Sequence, residues 1–419
     1  MSHDRTVLLY SPKLIGHRQL YCRVLASILV ERGYRVVVAG SLTEDGQPVQ
    51  SGFLEGLGPA GSVSFVDTGH CLDGSLGTVH GLASLIRDLG ADTTVFTEAD
   101  SEIPLLVSQI RPGTRALPGR RVGIFLRSTS YIHAEPRRSL RTRLRRARRA
   151  SLWMADPRLF HRLLLPRFKL LDAACCLDEV FVAGHAASHQ WLPDMYREPA
   201  SPSDGLSTAA RSCISGFEAF VSRNVGRPIY LYLGTPQRRR GYDVLLRVAV
   251  EEDGCFVNCG KLDVEEAYDP EAGSHRSTLA ARGALFETGE VFEFAVADVF
   301  IAATRGVVLP YRNHYGSSGI MLHILSAGRP VLVPDVGLMA DRTKAHGLGR
   351  TYRPDDIEDL KREFRALQAS PETAYAANIR RFLQFFSEDR VRAAIVHAVT
   401  SEGAGVPWPS PVGGLERGQ

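Results

Sequence analysis

Twice along its 419 residues the chain alternates short apolar strands with helical stretches, and this alternation constrains the fold more than any other feature. In the first half, strands are predicted at Val7–Tyr10, Val36–Ala39, Thr94–Phe96 and Val122–Leu126. Helices at Leu20–Arg32 and Val79–Leu89 separate them, the first stopped by Gly33. The second half restarts the pattern with strands at Ile229–Leu233 and Cys255–Asn258 and a helix at Tyr242–Val250 between them. Strands joined through helices pair in parallel, so each half predicts a parallel sheet with helices on both faces. A short strand is also expected at Val180–Ala183, and helices at Val291–Asp298, Pro354–Gln368, Pro371–Phe386 and Arg390–Val399.

Between the halves, the run WLPDMYREPASPSDGLS gathers prolines and polar residues. The expected organisation is therefore a Rossmann-like domain over residues 1–195, a linker region over 196–226 and a second Rossmann-like domain over 227–385. A terminal helix over 386–400, able to cross back to the first domain, and a Gly- and Pro-rich tail over 401–419, expected to be disordered, complete it. Two such halves place a central cleft between them, with ligands at the carboxyl ends of the strands.

Residues Val307 to Gly337, VVLPYRNHYGSSGIMLHILSAGRPVLVPDVG, read as strand, polar loop, short helix, glycine stop and strand. Ser317, Ser318 and Gly319 stand where the helix begins. Serine is a good N-cap, and glycine lets a ligand approach the backbone. A helix N-terminus at the end of a buried strand presents unpaired N–H groups and a positive partial charge, which is an anion site.

Composition excludes several classes. An apolar fraction of 44% and a charged fraction of 23% describe an ordinary globular chain. No stretch has the length and apolarity of a membrane span. The start, MSHDRTVLLYSPK, lacks the basic-then-apolar layout of an export signal. Together with an odd count of seven scattered cysteines, this predicts reduced thiols and a cytoplasmic location. Cys255 and Cys259, within CFVNC, read as small buried apolar residues. The net charge of +4 hides an uneven distribution, with eight arginines in the thirteen residues Arg137–Arg149. That run reads either as a solvated helix face or as a peripheral membrane patch, since Leu140, Leu144 and Leu163–Leu165 interleave with the cations. Nucleic-acid binding ranks last, because no recognisable nucleic-acid module surrounds it.

Two segments carry a family resemblance: YLYLGTPQRRRGYDVLLR, residues 230–247, and residues 307–337. Their order and spacing resemble the C-terminal domain of retaining glycosyltransferases of family 4, which have the GT-B fold. Gly234 matches the family's first glycine and Arg240-Gly241 its basic-Gly pair; Thr235 replaces the family arginine, a charge that Arg238 or Arg239 can supply. The Ser318-Gly319 turn and AGRPV also match, but the family's two glutamates correspond to Tyr315 and His323. Gly16, in the loop after the first strand, and WLPD at Trp191–Asp194 add a looser likeness.

The resemblance implies transfer of a sugar from a nucleotide-diphosphate-sugar donor to an acceptor hydroxyl, with retention. Members of this kind use no enzyme nucleophile; the departing phosphate helps deprotonate the acceptor. Arg240 is the expected catalytic cation, since charge builds on the leaving diphosphate. Ser317, Ser318, Gly319 and Ile320 would hold the diphosphate through backbone N–H groups. Tyr315 would lie near the sugar, and His323 near the ribose. His133 follows a strand where the family often has a histidine near the donor sugar; it reads equally as a surface loop residue, and Arg127 shares that ambiguity. Lys261 can reach the donor from a strand end or lie on the surface. Glu98 and Asp100 can bind an acceptor hydroxyl, though a solvated loop is the preferred reading. No Asp-x-Asp is placed to hold a metal-bound diphosphate, so no essential metal or other cofactor is expected. An epimerase or hydrolase on the same fold, or a protein that binds nucleotide sugars without turnover, are the alternatives.

Overall fold

A computed structural model describes residues 5–14, 17–41, 43–44, 47–48, 51–68, 78–110, 116–126, 160–195, 206–260, 270–289, 294–371, 373–401 and 405. The described residues divide into two compact units. Those up to Met195 and from Ser387 onward form the first; those from Leu206 to Phe386 form the second.

The first unit is built on a seven-stranded parallel sheet. Its strands are β1 (Thr6–Lys13), β2 (Arg35–Ser41), β3 (Val63–Asp67), β4 (Thr93–Phe96), β5 (Arg120–Phe125), β6 (Ala173–Cys176) and β7 (Gln190–Trp191). The spatial order is β3-β2-β1-β4-β5-β6-β7, so the chain reverses direction across the sheet at β1 and β4. Val7 pairs with Val36 on one side and Thr93 on the other. Val7, Leu8 and Leu9 are fully buried, as a central parallel strand covered on both faces requires. Helices α1 (His17–Glu31), α2 (Val79–Leu89) and α3 (Ala99–Ser108) make the crossovers. α2 ends at Gly90 in the left-handed region, with Thr78 Oγ1 capping its start.

The helix Glu388–Thr400 belongs to this unit. It buries Val391, Ala394, Ile395 and Ala398 in the same core as Leu25, Val95 and Ile124. Their spacing of three and four residues makes one helical stripe. Arg120 donates to the Ala398 carbonyl at 2.9 Å, satisfying an acceptor that the last turn leaves open.

Two expectations need correction here. Val180–Ala183 is not a strand: α5 (Glu179–Ala183) follows the short α4 (Leu165–Phe168) as one helical turn. Asp178 decides it, accepting from the N–H groups of Val180 and Phe181 at 3.0 Å each. Four apolar residues carry no periodicity that separates strand from helix, whereas an Asp N-cap marks a helix start. Second, the stretch expected as a linker holds a 16-residue helix, α6 (Thr208–Arg223), which stacks Phe217 on Phe300 at a centroid distance of 4.0 Å.

The second unit has two three-stranded parallel sheets lying side by side. One contains β8 (Ile229–Leu233), β9 (Cys255–Cys259) and β10 (Leu285–Glu287); the other contains β11 (Val307–Val308), β12 (Val331–Pro334) and β13 (Gly349–Tyr352). Their connections are α7 (Tyr242–Glu251), α8 (Pro270–Ala281), α9 (Phe294–Ala302), α10 (Gly319–Ser326) and α11 (Gly337–His346). α12 (Ile357–Ala369) and α13 (Ala376–Leu383) follow. Cys255 and Cys259 are fully buried in β9, as expected of small apolar residues. No helix among the described residues is long and apolar enough to cross a membrane. Gly16, Arg127, His133, Lys261, the arginine run Arg137–Arg149 and all but Ser401 and Gly405 of the tail lie outside the described residues.

Candidate functional site

The carboxyl ends of β8 and β9 meet at two glycines. Gly234 donates its N–H to the Cys259 carbonyl at 2.8 Å. A Cβ built on Gly260 would lie 2.4 Å from the Gly234 carbonyl oxygen, so only glycine permits this approach. Gly234 has φ +103°, and a Cβ there would stand 2.8 Å from Nη1 of Arg240. The Arg240 guanidinium therefore covers the bare Cα of Gly234.

Tyr232 sets the path of the turn between them. Its hydroxyl donates to the Thr235 carbonyl at 3.0 Å and accepts from the Gln237 N–H at 3.1 Å. Burial raises its pKa to about 12, so it stays a donor. Arg238–Arg240 then make one 3₁₀ turn, and Gly241, at φ +71°, starts α7. A Cβ on Gly241 would fall 2.2 Å from the Pro310 carbonyl oxygen, so the basic turn lies directly against the end of β11.

Arg312 fastens the two loops. Its N–H donates to the Arg239 carbonyl at 2.7 Å, and its guanidinium reaches both Asp243, at 2.8 Å, and the Arg238 carbonyl, at 3.3 Å. Arg312 is thus occupied structurally. The guanidinium groups of Arg239 and Arg240 have no side-chain partner among the described residues. Both act electrostatically on Tyr311 and His314.

The second loop ends in the predicted cap. Ser318 Oγ accepts from the Met321 N–H at 3.3 Å, leaving the first N–H groups of α10, those of Gly319 and Ile320, without an intrahelical partner. Nothing lies within 4 Å of a Cβ built on Gly319. Ser317 Oγ accepts from Arg342 at 2.7 Å, and the Arg342 guanidinium packs over the Phe386 ring at 5.1 Å. Tyr311 is hydrogen-bonded to Ser318, and burial raises its pKa. His314 Nε2 meets the Ser317 carbonyl at 3.1 Å, so it carries the proton and donates. Burial lowers the His314 pKa, with Arg239 and Arg240 adding to the effect and the bond to Ser317 opposing it. Tyr315 is fixed by its backbone, whose carbonyl accepts from the Leu338 N–H at 3.0 Å, and its hydroxyl lies 3.4 Å from Asn313 Oδ1.

The structure thus gathers Gly234, Arg240, Tyr315, Ser317, Ser318, Gly319 and Ile320 on adjoining loops, with Arg238 and Arg239 both exposed on the turn. His323 is set deeper, 7% exposed on α10. Its Nε2 lies 3.0 Å from Asp298 Oδ1, off the line of a good hydrogen bond, and its Nδ1 has no hydrogen-bond partner among the described residues. Sequence reasoning missed Tyr311, Arg312, His314, Asp243 and Asp298. A polar, aromatic loop after a buried strand was the signal for the first three; the partners on α7 and α9 had none.

In the first unit, Glu98 and Asp100 are not a solvated loop. Glu98 is 8% exposed and paired with Arg18, and Asp100 accepts the Leu126 N–H at 2.6 Å. One turn on, Glu102 has its pKa raised to about 7 by burial, with the neighbouring Glu98 charge adding to it. These groups sit at the carboxyl ends of β1, β4 and β5, where the strand order reverses.

No family model matches the chain, and no curated protein matches it. Solved structures do. Sucrose-phosphate synthase from Thermosynechococcus elongatus superposes with a TM-score of 0.62 at 15% identity, over 93% of this chain and 96% of the other. HepE from Anabaena, solved in complex with UDP, gives 0.59 at 14% over 95% and 100%. WaaG, a glycosyltransferase involved in lipopolysaccharide biosynthesis, gives 0.57 at 14% over 94% and 99%. The fold is GT-B. At these identities the likeness establishes two Rossmann-like domains and leaves the chemistry to the residues.

Proposed function

We propose that this protein is a glycosyltransferase that moves a sugar from a nucleotide-diphosphate-sugar donor to an acceptor hydroxyl. The observation that carries the reading is the convergence of two guanidiniums with no side-chain partner among the described residues, Arg239 and Arg240, with the open N-terminus of α10 at Ser318-Gly319. That cradle matches a diphosphate in charge and in hydrogen-bond donors. The neighbour HepE binding UDP supports the same ligand class.

In the reaction, the bond from the anomeric carbon to the phosphate oxygen breaks and its electron pair stays on the diphosphate. Arg240, Arg239 and the N–H groups of Gly319 and Ile320 stabilise that charge. The acceptor oxygen forms the new bond to carbon, and its proton passes to the departing phosphate. We assign retention on the resemblance to family 4, and acceptor selection to the first unit, whose Glu98, Asp100 and Glu102 line its strand ends. The positive charge supplied by arginine makes an essential metal unnecessary. The six described cysteines are free thiols, which fits a cytoplasmic location.

Incubation with a panel of UDP-, GDP-, ADP- and dTDP-sugars tests the reading. Turnover of one donor, reduced about 10²- to 10³-fold by Arg240→Ala, is the expected result. Proton NMR of the product then gives its anomeric configuration. Saturable binding with no turnover on any donor and any acceptor would leave a nucleotide-sugar-binding protein instead.

A further inference from the structure

His314 was given no role by the sequence, yet it lies in the loop that leads into the helix cap and bonds to the residue before it. Its Nε2–H is committed to the Ser317 carbonyl at 3.1 Å, which ties the imidazole to the residue before the helix cap. Its ring meets Tyr311 edge-on, with centroids 5.2 Å apart. Arg239 and Arg240 reach it electrostatically from the turn after β8, and Arg342 on α11 holds the far side of Ser317. With Nε2 fixed as the donor, Nδ1 carries the lone pair, and no described residue bonds to it. In the empty chain two cations oppose a third charge beside them.

A bound diphosphate reverses that balance. Its negative charge offsets Arg239 and Arg240 at short range and attracts a proton to the nearest titratable base. We propose that His314 is the third cation of this site: neutral in the empty chain, it takes up a proton as the donor's diphosphate binds, and Nδ1–H becomes a further donor beside the leaving group. The inference rests on the nucleotide-sugar reading. By linkage, a group that gains a proton on binding makes binding tighter as pH falls.

The test is calorimetry of sugar-nucleotide binding in buffers of different ionisation enthalpy. UDP-glucose, GDP-mannose and ADP-glucose are suitable probes, because their diester diphosphates titrate nothing between about pH 5 and 8, so proton uptake belongs to the protein. Wild type should take up a fraction of one proton, and its affinity should rise by roughly two- to tenfold per pH unit lowered across the titration. His314→Gln keeps the bond to Ser317 through its amide and should abolish both the uptake and the pH dependence. His314→Lys should bind tightly with no uptake. Tight binding by wild type without proton uptake, or uptake that persists in His314→Gln, overturns the inference and leaves the nucleotide-sugar reading standing. Failure of every probe to bind overturns both.

Discussion

Gly234→Ala isolates the seat of Arg240. The substitution has two effects of different size. Holding an L-residue at φ +103° costs about 1–3 kcal/mol of backbone strain. The new methyl would also stand 2.8 Å from Arg240 Nη1, but that atom is the far end of a flexible side chain and swings away cheaply. Stability should therefore fall by only that strain, while the guanidinium leaves the diphosphate. A charge-assisted hydrogen bond is worth about 1.5–3 kcal/mol, so UDP affinity should fall about 10- to 150-fold. Arg240→Ala should lose about as much affinity with little loss of stability. The double variant decides the matter: if the alanine acts by displacing Arg240, Gly234→Ala/Arg240→Ala binds UDP no worse than Arg240→Ala alone. Isothermal titration of the four proteins completes the cycle. Additive losses, or a Gly234→Ala protein that binds as wild type does, would refute the reasoning.

Gly319→Ala should leave thermal stability unchanged or slightly raised, since its Cβ meets nothing and alanine suits a helix better, by up to about 1 kcal/mol. The same variant should weaken UDP binding, because the methyl occupies the space a phosphate would take; unchanged affinity would move the ligand away from the helix N-terminus. Acid should destabilise the first unit: His161 and His189 hydrogen-bond each other at 2.9 Å, and burial lowers their pKa values to about 3 and 4. The unfolded chain protonates these histidines below about pH 6.5 while the fold keeps them neutral, so stability is flat above that pH and falls below it by up to about 1.4 kcal/mol per unit for each. Urea midpoints at pH 7 and 5.5 should show the loss, and His161→Gln/His189→Gln should reduce it. Donor turnover should be the same with EDTA as without; abolition by EDTA, restored by magnesium, would put a metal where the arginines are assigned.

The alternation of strands and helices was legible because a parallel strand buried on both faces reads as an unbroken apolar run. Val7–Tyr10, Ile229–Leu233 and Cys255–Asn258 all lie within observed strands. Strands lacking that signature were missed: β10 is LFE, half-buried throughout, and β13 is GRTY, whose Gly349 stands where a Cβ would be 1.9 Å from the Val331 carbonyl oxygen. The cap at Ser318 was legible for a related reason, since a serine before an apolar helix states its own chemistry. Asp178 had the same signal, but the four apolar residues after it were given more weight than the cap.

Side chains that act across the fold left no local trace. Arg312 lies 69 residues from Asp243, and Arg342 lies 25 from Ser317; the adjacency of β8 and β11 joins the first pair, and that of β11 and β12 the second. The same distinction explains how the site can lack the family's paired acids and still form. What shapes the cradle is backbone: Gly234, Gly241 and Gly260 permit three close approaches, and Arg312 pins one loop to the other through main-chain oxygens. A carboxylate at Tyr315 or His323 would add a contact to the ligand but would not position the loops. Under the proposed reading, substitution at those two positions should change what is recognised and leave the anion site intact. On that reading, the diphosphate, more than the sugar, is the ligand these residues define.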